Sequence, residues 1–240
     1  LTADTLVGYT KDGFRELSAD AMEPYFAVNP QKGTVQAGRD ASCLRAAASG
    51  DIRFLEDGNA TFFIRFCLES LPAENYTTLI DLRDEWNQGG QKFRSIILQV
   101  LSTGAIALGY CDTAGAAKSE NLVGQNTIQA GVYYNLAVTM TTDASGTTIL
   151  TYLSQEEQTE AAGMELVSTK RLAVDFSLFA DRTVQYGLFS YYPGDADSRS
   201  IGCTLDDVRI YSKPLTPEEI NTIFPSGHFD TIHTVGVQAR

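Results

Sequence analysis

Cys203-Thr204-Leu205-Asp206-Asp207-Val208-Arg209-Ile210-Tyr211, running on through Ser212-Lys213-Pro214 into Leu215-Thr216-Pro217-Glu218-Glu219-Ile220-Asn221-Thr222-Ile223-Phe224, is the stretch that decides the fold. Its first half alternates at the two-residue period of a strand, with Val208 and Ile210 on one face and Arg209 and Tyr211 on the other. Its second half changes period. Thr216 is a good helix cap, Pro217 suits the first helical position, and Glu219, three residues after the cap, completes a capping box. Ile220, Ile223 and Phe224 then share one side of a short helix that Pro225 stops.

Outside this stretch the composition narrows the possibilities. The 240 residues are 43% hydrophobic and 20% charged, with no apolar run of eighteen or more, which excludes a disordered chain or a membrane-spanning helix. The length supports one large β-sandwich, and a single domain over residues 1–240 is expected, with the tail 225–240 left open. A net charge of −12 and a pI near 4.5 exclude a nucleic-acid backbone as partner, since phosphate binding needs clustered Lys and Arg. The sequence reads as trimmed at Leu1, with no leader in view.

Cys43, Cys67, Cys111 and Cys203 are far apart, contain no Cys-x-x-Cys pair, and are accompanied by only two histidines, His228 and His233, so a zinc site is not expected. Two readings stay open. The four are either two disulfides or buried thiols acting as small apolar residues.

In chain order, strands are expected at Leu6–Tyr9, at Pro24–Val28, and within Asn59–Leu68, where Phe62, Ile64, Phe66 and Leu68 alternate. Further strands follow at Thr77–Leu82, Phe93–Leu101, Ala105–Cys111, Gly131–Met140, Thr147–Leu153 and Val184–Tyr192. Alternation at Thr231, His233 and Val235 suggests an edge strand or a link to a neighbouring module. With roughly a dozen strands, one confident helix and no internal repeat, the fold expected is all-β. Phe62, Ile64, Phe66, Leu136, Val138, Val208 and Ile210 are its expected core.

Leu205–Tyr211 and Leu215–Ile220 resemble the closing signature of laminin-G-like, or concanavalin A-like, domains, in which "(Ile/Leu)-Asp-Asp-Val-Arg-Ile-Tyr" leads to "Leu-(Ser/Thr)-Pro-Glu-Glu-Ile". Thr61–Phe66 is similar to the family's "Phe-Thr-(Ile/Val)-x-(Phe/Trp)" strand. Gly131–Thr139 is similar to "Gly-x-Trp-(His/Tyr)-x-Leu-Ala-Val-Thr", with Tyr133 in the tryptophan place. The chain departs from the family at Tyr152-Leu153-Ser154-Gln155, where "Tyr-(Val/Leu)-Asn-Gly" is usual. The resemblance implies an antiparallel jelly-roll β-sandwich with a short C-terminal helix, placed outside the cell or on its surface. It also implies a non-catalytic binding module for a glycan or an extracellular protein, of the kind attached to glycosidases such as sialidases. Two rival readings are a glycoside hydrolase on the same sandwich and an adhesion or structural domain that touches no sugar.

The hydrolase reading needs two carboxylates across a sugar bond, which related enzymes supply from a Glu-x-Asp-x-Glu or Glu-x-Asp-x-x-Glu strand. No such run is present. Asp81-Leu82-Arg83-Asp84-Glu85 and Glu156-Glu157-Gln158-Thr159-Glu160 lack the spacing or the residue types. For binding, the useful pattern is a ring that stacks on the apolar face of a pyranose beside polar groups that hold its hydroxyls. Two loops carry it. One holds Asp84, Trp86 and Asn87; the other holds Tyr191, Tyr192, Asp195, Asp197 and Arg199. The opposing reading puts Trp86 over a sheet edge and the tyrosines in the core. Asn59-Ala60-Thr61 and Asn75-Tyr76-Thr77 have the form of N-glycosylation acceptors, a form frequent by chance and without meaning in a bacterial protein.

Strand parity puts Asp206 on the face of Val208 and Ile210, where a lone carboxylate is costly unless it is paired or holds a metal. The resemblance to glucanases implies a structural calcium ion there, with a backbone oxygen from Gly8 or Tyr9. A bulge near Leu205 that turns Asp206 outward, or backbone N–H donors at the strand end, would serve instead.

Overall fold

A computed structural model describes residues 26–28, 35–37, 44–46, 57–73, 75–84, 95–112, 116–155, 163–179, 184–188, 203–211 and 213–223. The early strands are short: β1 (Phe26–Val28), β2 (Val35–Ala37) and β3 (Leu44–Ala46). The body of the fold follows in β4 (Ala60–Leu68), β5 (Tyr76–Asp84), β6 (Ser95–Leu101), β7 (Ile106–Cys111) and β8 (Ala117–Val123). It continues with β9 (Tyr133–Asp143), β10 (Gly146–Gln155) and β11 (Glu165–Leu172). A 3-10 turn at Phe176–Phe179, β12 (Val184–Leu188), β13 (Cys203–Tyr211) and helix α1 (Pro217–Ile223) complete it.

These strands form two antiparallel sheets, one in the order β1-β13-β4-β9-β10-β11, with β2 also on β13, and the other β3-β12-β5-β6-β7-β8. The chain is an all-β sandwich with one short helix near its end. Phe62, Ile64 and Phe66 from β4, Leu136 and Val138 from β9, and Ile210 from β13 are buried between the sheets with Leu82, Leu98 and Leu108 from the opposite one. Val208 stands opposite Ile64 in the ladder, although its side chain lies outside what is described. Period-two alternation creates this inner face, and burying each large aliphatic or aromatic side chain is worth about 1.5–3 kcal/mol.

The outer face of the seven-stranded sheet is also covered at its centre. Phe63, Ala137, Tyr152 and Tyr211 form a second cluster with Met164, Leu215, Ile220 and Ile223. This explains why Tyr211, outward by alternation, is buried and why Arg209 beside it is only 4% exposed. The capping box forms as the sequence requires: the Thr216 N–H donates to Glu219 Oε2 at 2.8 Å, and the Glu219 N–H donates to Thr216 Oγ1 at 3.2 Å. Lys213 Nζ holds the other carboxylate oxygen at 2.9 Å. Asn221 Oδ1 accepts the Met164 N–H at 2.8 Å, tying the start of β11 to the helix.

Several expectations change. β1 lies beside the C-terminal half of the final strand, with Phe26 opposite Ile210, and β2 lies beside its N-terminal half; Leu6–Tyr9 and the tail 225–240, including His228 and His233, lie outside the described residues. Strands β8 and β11 were not expected. At Tyr152–Gln155, where the sequence departs from the family pattern, β10 continues and its ladder with β9 runs on to Gln155 opposite Tyr134, in keeping with that departure. Cys67 and Cys111 are thiols, so the reading with all four cysteines bridged does not hold.

At the side of the sandwich, β8 and β11 come together, and Lys170 Nζ meets Glu120 Oε1 at 2.8 Å. At the start of β4, Asn59 Oδ1 accepts the Thr142 N–H at 3.0 Å while its Nδ2 donates to Asp57 Oδ2 at 2.7 Å. Gly58 next to it has φ 76°, and a Cβ there would stand 2.5 Å from Thr142 Oγ1, so only glycine lets the two segments approach. Among the described residues no helix is long and apolar enough to cross a membrane.

Candidate functional site

With α1 over the seven-stranded sheet, the sheet face left to consider is the outer face of the six-stranded one. Its positions follow from alternation. Ile80, Leu82, Ile96, Leu98, Val100, Ile106 and Leu108 point into the sandwich, so Thr78, Ile97, Gln99, Ala107 and Gly109 belong to the other face. The ladders set Thr78 opposite Gln99 and Gln99 opposite Ala107, one row across β5, β6 and β7 with polar residues on two of the three strands. A bulge at Leu79 on β5 fixes the register on either side of that row.

Gln99 is the unusual residue of this face. It lies on a central strand, is only 6% exposed, and its amide makes no hydrogen bond to the described residues. The amide lies over Gly109, where a built Cβ would be 3.5 Å from Oε1 and 3.6 Å from Nε2. Thr78 Oγ1 beside it is sealed and likewise has no hydrogen-bond partner. Leaving a buried polar group unpaired costs about 1–3 kcal/mol, so such groups call for an explanation. Sequence reading missed Gln99, because one glutamine among apolar residues in a strand carries no motif.

In the next rows, the ladder puts Asp81 opposite Ile97 and Gly187, and Arg83 opposite Ser95 and Gln185.

The two loops proposed from the sequence attach to the same sheet but do not share a root. Asp84 closes β5 opposite Val184, and the segment with Trp86 and Asn87 begins there. Strand β12 runs the other way, so the chain leaves it at Leu188, opposite Ile80, toward the row of Thr78 and Gln99. The two roots are four residues apart along the ladder, about 13 Å at strand rise. Trp86, Asn87, Tyr191, Tyr192, Asp195, Asp197 and Arg199 lie outside the described residues, as does the side chain of Asp84.

Asp206 falls on a break in the ladder. Leu205 is opposite Phe66 and Asp207 is opposite Arg65, so Asp206 is the extra residue of a bulge, and the alternation that set it beside Val208 stops between them. The parity argument for a buried carboxylate is therefore corrected, and with it the reason that argument gave for a cation. Among the described residues no three acidic, histidine or cysteine side chains gather to hold a metal.

The remaining carboxylates with marked environments are tied within the fold. Arg171 donates to Asp143 at 2.5 Å, and Ser145 donates to the same oxygen, holding the Asp143 carboxyl well below the usual range. On the outer face of the seven-stranded sheet, the Arg65 guanidinium stands 5.5 Å from the centre of the Tyr133 ring. That accounts for an aromatic residue at this position.

No protein-family model matches the chain, and no curated protein does. Solved structures do. The CBM40 of the Ruminococcus gnavus IT-sialidase, bound to α2,3-sialyllactose, superposes with a TM-score of 0.56 at 12% identity, covering 80% of this chain and 96% of that one. The likeness is one of fold. The same module bound to α2,6-sialyllactose gives 0.55 at 13% identity with the same coverage. The leech intramolecular trans-sialidase in complex with 2,7-anhydro-Neu5Ac gives 0.58 at 14% identity, covering 87% of this chain but only 28% of the enzyme, so this chain matches a part of that protein.

Proposed function

We propose that this chain is a non-catalytic carbohydrate-binding module for sialylated glycans, acting outside the cell or on its surface as part of a larger protein. The observation that carries the reading is Gln99, a buried amide without a partner on the outer face of the six-stranded sheet. A ligand hydroxyl or amide would supply the hydrogen bonding that the described residues do not. Tyr191 and Tyr192, which follow β12 in the sequence, are the stacking partners in this reading, with Asp195, Asp197 and Arg199 as its polar groups.

The fold supports the reading by its extent. The chain spans nearly all of a module whose structures hold α2,3- and α2,6-sialyllactose. The test is titration of the purified chain with both sialyllactoses and with lactose, with and without calcium, beside an assay for released sugar. Binding of the sialylated sugars with lactose ignored is the expected result. Silence toward every glycan would favour the adhesion reading, and released product would favour the hydrolase.

A further inference from the structure

We infer that Asn75 is an acceptor for an N-linked glycan and that Asn59, in the other Asn-x-Thr triplet, is not. The two triplets are alike in sequence but not in the fold. Asn59 uses both ends of its amide, accepting from the Thr142 N–H at 3.0 Å and donating to Asp57 Oδ2 at 2.7 Å. Its threonine is fully occupied as well. Thr61 Oγ1 donates to the Lys213 carbonyl and accepts from the Leu215 N–H, each at 2.8 Å. The structure uses the side-chain polar groups of that triplet without a modification, and a chain that carried a sugar on Asn59 Nδ2 before folding could not form the junction between β4 and β9.

Asn75 is exposed on the segment between β4 and β5, and its side chain makes no hydrogen bond to the described residues. Its φ of 53° suits an asparagine in a turn. The turn therefore explains the asparagine; it does not explain the threonine. Thr77 is fully buried opposite Val100, and its hydroxyl makes no hydrogen bond. Valine would fill that place without an orphaned hydroxyl. Thr78 and Thr151 share the condition, but Thr77 alone stands two residues after an exposed asparagine. A hydroxyl with no role in the folded chain is one that acts before folding, when an oligosaccharyl transferase reads the triplet in the extended chain.

The co-reactant is a lipid-linked pyrophosphate oligosaccharide. Asn75 Nδ2 bonds to the anomeric carbon of the first sugar, the bond from that carbon to the pyrophosphate oxygen breaks, Nδ2 loses one proton, and the lipid pyrophosphate departs. The modified side chain then stays outside as β5 pairs with β6, while Thr77 is closed into the sheet.

The experiment is secretion of the chain from a eukaryotic host, with peptide mass mapping of both triplets. A glycan on the Asn75 peptide and none on the Asn59 peptide is expected. Thr77→Ser should keep the glycan and Thr77→Val should lose it. Made in a bacterium without glycan, Thr77→Val should melt at or above the wild-type temperature. An unmodified Asn75 or an occupied Asn59 overturns the inference. So does a Thr77→Val protein that melts well below the wild type, since the hydroxyl would then have a role in the fold.

Discussion

Thr61 and Leu215 are joined across 154 residues of sequence: the Leu215 N–H donates to Thr61 Oγ1 at 2.8 Å, and the same oxygen donates to the Lys213 carbonyl at 2.8 Å. One hydroxyl on β4 thus holds both sides of the turn that delivers α1 to the outer face of the seven-stranded sheet. Thr61→Val keeps the shape but leaves the buried Leu215 N–H without a partner. The expected loss is about 1–3 kcal/mol, read as a lower urea midpoint with an unchanged slope.

The capping carboxylate should be visible in acid. The Thr216 N–H, and after it Lys213, hold Glu219 below the ordinary glutamate range. A group whose folded pKa is depressed adds stability above its unfolded pKa, and that stability disappears as pH falls through the folded value. Melting temperature should therefore fall more steeply for the wild type than for Glu219→Gln below the unfolded glutamate value of about 4.3. Parallel acid limbs would show that the box contributes nothing measurable.

Gln99→Leu separates binding from folding. Replacing a partnerless amide with an apolar side chain of similar size should leave the unliganded protein as stable or slightly more so. If Gln99 meets the glycan, sialyllactose affinity should fall roughly tenfold, the equivalent of about 1.4 kcal/mol. Unchanged affinity, with binding intact, would move the site to the region of Trp86.

The bulge in β13 predicts a mild Asp206. With the residue outside the regular alternation, Asp206→Ala should shift the melting temperature little, and a chelator should shift wild type and variant alike or not at all. A chelator effect present in the wild type and absent from the variant would restore the calcium ion implied by the family resemblance.

How much was legible depended on where each residue sits. Phe62, Ile64 and Phe66 recur at period two on a central strand, and their core role could be read directly. Strands β8 and β11 could not be read this way. They are edge strands, mostly exposed, and Ala117-Lys118-Ser119-Glu120 or Val167-Ser168-Thr169-Lys170 show no apolar period to find. A bulge defeated parity at Asp206, because the extra residue breaks the alternation that linked it to Val208 and Ile210. The candidate loops were chosen for their composition alone. Their separate roots at Asp84 and Leu188 depend on β12 running antiparallel to β5, a pairing between segments about a hundred residues apart that local pattern does not encode.

The position of α1 also limits valency. Because Ile220 and Ile223 close the centre of the outer face of the seven-stranded sheet, that area is taken up by the helix and is not open to a ligand. Avidity on a surface that displays many copies of a ligand can come from repeating the chain, in tandem or as separate subunits, where the reach of the connection sets the effective concentration of the second contact.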